Sequence, residues 1–148
     1  MSIWLVLRYV IKKELQSPPF LSENLLYEKQ PGRQRYEYRY EIGQGPLVDF
    51  LTEKNYLKKA FEPNELTEVD FMDEEIGEHD TKTMYNVAIK IKEALDKNSV
   101  AFIKKVGYDS TWRSGNTRDI LDAQLREFII FCEFGLKNNI KEYEHYFQ

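Results

Sequence analysis

A chain of 148 residues fits one domain, and its 42% hydrophobic and 14% aromatic content, with few Gly and Pro, excludes a disordered one. A single cysteine, Cys132, excludes an intrachain disulfide, and no segment approaches the roughly 18 apolar residues of a membrane helix. The net charge of −4 is unevenly spread: Glu62 to Asp80 holds nine acidic residues and no Lys or Arg, leaving 21 basic and 16 acidic residues, or +5, elsewhere.

The free thiol points to a reducing compartment. The apolar run Ile3 to Leu7 is broken by Arg8, too early for a signal-peptide core. A soluble, cytoplasmic protein is expected.

Ser2 to Lys12 is apolar at most positions and rich in β-branched and aromatic residues, which predicts a strand central in a sheet. Pro18-Pro19 marks a loop. Leu25 to Lys29 is a short strand, and Gln30-Pro31-Gly32 is a turn. Arg33 to Ile42 is a second strand, so the two form an antiparallel hairpin. After Gly43-Gln44-Gly45, Pro46 fits the first turn of a helix over 46–60, with Leu47, Phe50, Leu51, Tyr56 and Leu57 on one face. The acidic stretch 62–80 has no clean period and reads as loop with a short helical turn around Leu66 to Met72.

Met84, Val87, Ala88, Ile91, Ala94 and Leu95 then recur at helical spacing, with Asp80 or Thr81 as N-cap and an end near Lys97-Asn98. Ser99 to Tyr108 is predicted as a strand and Asp109 to Gly115 as a loop. Asn116 caps a second strong helix, with Asp119 completing an imperfect capping box. Its apolar face holds Ile120, Leu121, Leu125, Phe128, Ile129 and Cys132, and it stops at Gly135 or at Asn138-Asn139. Lys141 to Phe147 is a last helical turn or a short edge strand. The order gives an α+β fold over residues 1–148. It is a mainly antiparallel sheet with an N-terminal strand and hairpin, and helices packed on one face.

Catalytic motifs are scarce. The chain contains no GxSxG, HExxH, Walker loop or GxGxxG, and nothing calls for a cofactor. Cys132 lies on the apolar face of a helix, where a free cysteine is a small core residue. Gly43-Gln44-Gly45 lacks the Lys of a phosphate cradle and reads as a strand-to-helix turn. The segment Asp70, Asp73, Glu74, Glu75, Glu78, His79 and Asp80 could hold a divalent cation, since its carboxylates supply the hard oxygen donors such an ion favours, but the EF-hand spacing is absent. The same segment also reads as a solvated loop, or as an acidic surface that docks on a basic partner through electrostatic steering.

In RQRYEYRYEI (33–42), Tyr36, Tyr38 and Tyr40 alternate with Arg35, Glu37, Arg39 and Glu41. An ordinary half-buried strand explains this, with tyrosines inward and charges outward. Nucleic-acid binding needs aromatics and cations on one face, and here they lie on opposite ones. A docking strand is the other reading, since Tyr and Arg are favoured at interface hot spots. Trp112 and Arg113, in the loop DSTWRSG, are either a lid on the core or an interface anchor.

The run WRSGNTRDILDAQLREFIIFCEFGLKNN, through Trp112, Gly115-Asn116-Thr117, Phe128 and Phe131-Cys132, resembles segments of small bacterial immunity proteins from polymorphic toxin systems, including contact-dependent inhibition. It covers about one-fifth of the chain. The resemblance implies a cytoplasmic, non-enzymatic inhibitor of one cognate toxin domain, and carries no established binding residues. With the acidity, it makes Asp70, Asp73, Glu74, Glu75, Glu78, Trp112 and Arg113 the expected contacts for a toxin, of which a basic nuclease-like domain is one type. Nucleic acid, membrane and metal are not expected partners. Two alternatives stand beside this: an enzyme using Asp70, Asp73, Glu78 and His79 with or without a metal, and a regulatory or anti-phage adaptor.

Overall fold

The computed structural model describes residues 3–12, 19–43, 45–62, 65, 69–112 and 115–148. In chain order these form β1 (Trp4–Ile11), β2 (Leu25–Gln30), β3 (Arg33–Glu41), α1 (Leu47–Thr52), α2 (Lys54–Ala60), β4 (Ile76–Asp80), α3 (Thr81–Lys97), α4 (Ser99–Lys105), β5 (Thr111–Trp112), β6 (Gly115–Asn116), α5 (Thr117–Lys137) and β7 (Glu142–Phe147). The main sheet runs β2-β3-β1-β7-β4 and is antiparallel throughout, while β5 and β6 make a small ribbon. The fold is α+β, as the sequence indicates.

Alternation builds the core. Leu5, Leu7, Tyr9 and Ile11 of β1 and Tyr36, Tyr38 and Tyr40 of β3 point to the helices and are buried. Helix α5 lies across them: Tyr9 stacks on Phe131 at 4.3 Å, Tyr36 meets Phe134 at 4.5 Å, and Tyr38 stacks on Phe128 at 6.3 Å. Helix α3 packs on α5. Burial pushes the Tyr38 and Tyr143 hydroxyls and the Cys132 thiol up, so Cys132 is a neutral core residue. The tyrosine strand is therefore half-buried, and it is an inner strand, not an edge.

On the outer face, neighbouring strands add aromatics to the charges. Arg8 bonds Glu144 and lies 4.8 Å over the Tyr146 ring, and Arg39 lies 5.6 Å over Trp4 and reaches Gln148. Aromatics and cations thus do share a face, but Arg8 and Arg39 are engaged within it.

Several expectations are corrected. The predicted strand 99–108 is helix α4 followed by a turn: Asn98 accepts from the Ala101 N–H, and Phe102, Ile103 and Val106 reach the core at helical spacing. The predicted helix 46–60 is two helices. Glu53 is extended, and the Leu51 carbonyl accepts from the Met72 N–H instead of continuing the helical ladder. Within 62–80, residues 76–80 are strand and not loop, and the helical turn proposed around Leu66 falls partly outside the described residues. The tail is an inner strand, because Tyr143 and His145 alternate into the core between β1 and β4. Gly135 does not end α5. It lies where the Tyr9 hydroxyl crosses the helix and a Cβ would strike that oxygen, and the end comes at Asn138 and Asn139, the latter at φ 58°.

Candidate functional site

The acidic segment leads into β4, and β4 is an edge. The Phe147 N–H donates to the Glu75 carbonyl at 3.4 Å, and the Thr81 N–H donates to the Lys141 carbonyl at 2.8 Å. These two bonds set the alternation: residues 75, 77, 79 and 81 turn their backbone groups to β7. Ile76 and Glu78 therefore turn both N–H and C=O away from the sheet, and no described residue bonds them. Their side chains lie on the outer face with that of Asp80, and Ile76 is 69% exposed.

Carboxylates crowd this edge. Asp73, Glu74, Glu75 and Glu78 are exposed, and among the described residues none of them forms an ion pair. Asp80 caps α3, accepting from the Thr83 N–H at 2.9 Å and its hydroxyl at 2.8 Å, which ties the far end of the strand to the helix.

The inner side of the edge is held by the chain's two histidines, both buried. His79 Nε2 and His145 Nδ1 are 2.5 Å apart, and His145 Nε2 is 2.8 Å from the Glu74 carbonyl. A carbonyl only accepts, so His145 Nε2 carries a proton. A neutral His145 then accepts at Nδ1, and His79 donates from Nε2. That leaves His79 Nδ1 without a proton, 3.1 Å from Asp70 Oδ2 and with no hydrogen bond to it. Burial pushes the His79 pKa down. The Asp70 carboxylate opposes that shift and His145 adds to it. His79 is thus neutral at pH 7, and the Asp70 side chain, 60% exposed, is held only loosely. Gly77 is required beside this pair, since a Cβ there would lie 2.8 Å from His145 Cε1.

The expected contacts divide into two places. Asp70, Asp73, Glu74, Glu75 and Glu78 border the β4 edge. Trp112 belongs elsewhere: its half-buried indole meets Tyr108 edge-on at 5.5 Å, and Tyr108 stacks on Tyr56 and donates to Asp49 at 2.5 Å. That is an aromatic cap over α1, α2 and α4. Arg113 lies outside the described residues.

The enzyme alternative grouped Asp70, Asp73, Glu78 and His79. Glu78 and His79 are neighbours on a strand and so point to opposite faces. Among the described residues no three His, Cys, Asp or Glu side chains are placed to hold a metal ion. Sequence reasoning missed the open edge with Ile76 and Gly77, and the His79–His145 pair. The one signal available for the pair was the alternation of Tyr143 and His145 in the tail. No protein-family model matches the chain, and neither a curated protein nor a solved structure does.

Proposed function

We propose that the chain is a non-enzymatic binding protein of the immunity type, which neutralises a cognate bacterial toxin domain by covering its active site or substrate groove. The observation that carries this reading is the acidic open edge, where Asp73, Glu74, Glu75 and Glu78 stand exposed beside a strand with one free side. Exposed carboxylates outside any ion pair create a local negative potential that steers a cationic partner. A toxin that acts on nucleic acid needs a basic groove for phosphates, and such an edge stands in for them. The Trp112–Arg113 loop is a second contact in this reading.

The test begins by purifying the tagged protein from its native cells and isolating any stoichiometric partner. Association rates are then measured against salt, with and without Asp73→Lys, Glu74→Lys and Glu75→Lys together. A basic domain that binds at a salt-sensitive rate, slowed about tenfold or more by the triple variant, supports the reading. An unchanged rate and salt dependence remove the acidic segment from the interface.

A further inference from the structure

The two bonds that fix the β4 register also fix what its free side offers. Ile76 and Glu78 each present an N–H and a C=O outward, spaced two residues apart, which is the pattern an added antiparallel strand would pair with. The strand is pre-ordered for this. His79 and His145 hold its inner side, Asp80 caps α3 at one end, and a strand so fixed loses little freedom on pairing.

Charge decides the occupant. A second copy paired antiparallel about Glu78 would set Glu78 against Glu78 and bring both acidic flanks together. Like charges directly opposite destabilise a strand pair. An extended segment with cations at every second position meets the opposite situation. Its side chains opposite Asp80 and Glu78 would be Lys or Arg, and its side chain opposite the exposed Ile76 would be apolar. The pattern, read along the incoming strand, is cation–x–cation–x–apolar.

We infer that β4 is a strand-addition site for an extended basic segment of a partner protein, which joins the sheet through the backbone of Ile76 and Glu78. The inference rests on the reading of this edge as the contact surface. A polyanion, a metal and a second copy of this chain are the occupants it excludes.

The probe is the peptide Lys-Thr-Lys-Thr-Val-Thr-Lys, with a control N-methylated on the second Lys and on Val, which removes the two donors that would face β4. Binding that protects the Ile76 and Glu78 amides from hydrogen exchange, and that weakens about tenfold on N-methylation, is the expected result. Ile76→Pro is the matching change in the protein. It removes an outward N–H and leaves every carboxylate and the β7 ladder in place. It should weaken peptide binding by a similar factor with an unchanged Tm. No peptide binding, equal binding of the control, or binding without amide protection overturns the inference. With the purified partner, the two readings separate. If the triple charge reversal slows association and Ile76→Pro changes nothing, acidic docking stands and strand addition falls. If neither has an effect, both fall.

Discussion

Strand β2 closes one side of the sheet and β4 the other, and they are finished differently. On β2 the residues that face outward are Leu25, Tyr27 and Lys29, and Leu25 is already paired. Its N–H donates to the Ser22 hydroxyl at 3.1 Å, and its carbonyl accepts from the Ser22 N–H at 3.1 Å. Ser22 is itself fixed to Glu127 of α5 at 2.7 Å, and Leu25 is fully buried. On β4 the outward groups of Ile76 and Glu78 meet no described residue, and the exposed side chains are an isoleucine and carboxylates. A sheet edge is a template for unwanted pairing, and chains blunt it by cover or by charge. Here β2 is closed at Leu25, while among the described residues nothing bonds the outward backbone of Ile76 and Glu78, and the carboxylates beside them disfavour a second copy.

That contrast can be broken first by truncation. Leu25→Ala should cost about 2–5 kcal/mol in urea unfolding, because it empties a fully buried site. Ile76→Ala should stay within about 0.5 kcal/mol, as an exposed position does. Equal losses would mean that β4 is as covered as β2. A smaller effect is expected from Ser22→Ala, which leaves the Leu25 N–H without its acceptor and should cost about 1–2 kcal/mol. Hydrogen exchange at the Leu25 amide should quicken in that variant and leave Ile76 and Glu78 unaffected, making the two edges more alike.

The smallest expected effect is a response to pH confined to the β4 side. In the unfolded chain His79 takes up a proton near 6.5, whereas burial in the fold holds its pKa lower. Below about pH 6.5 the unfolded state therefore binds more protons, and stability falls as the pH drops until the folded pKa is passed. Asp70→Asn removes the carboxylate that favours the imidazolium, so the His79 pKa drops further and the acid loss extends lower. The His79 ring signal followed by NMR across pH, with unfolding midpoints alongside, would check this. A titration at the ordinary value would contradict the assignment.

Much of the scaffold is legible in the sequence because its signals are local. The hairpin around Pro31-Gly32 and the helices begun by Asp80 and Asn116 each carry period and punctuation together. The stretch SVAFIKKVGY is not legible in the same way. Its apolar residues are too few to separate a period of 2 from one of 3.6, and the Asn98 cap decides for helix. The candidate edge is the least legible part. Ile-Gly-Glu-His-Asp has little strand propensity. It becomes a strand because β7 supplies bonds and His79 meets His145, 66 residues away. The acidity of the site could be read directly from the composition, but its open backbone depends on a partner strand distant in the chain.

The strand order has a consequence for the nascent chain on the ribosome. Among the described strands β4 hydrogen-bonds only to β7, and β7 ends at Phe147. The hairpin and β1 have their mutual partners early, but β4 waits through the synthesis of α3, α4 and α5 before its neighbour exists. The proposed contact edge is thus fixed only once β7 has been made, and a translation product halted before residue 142 would carry the acidic segment without the edge.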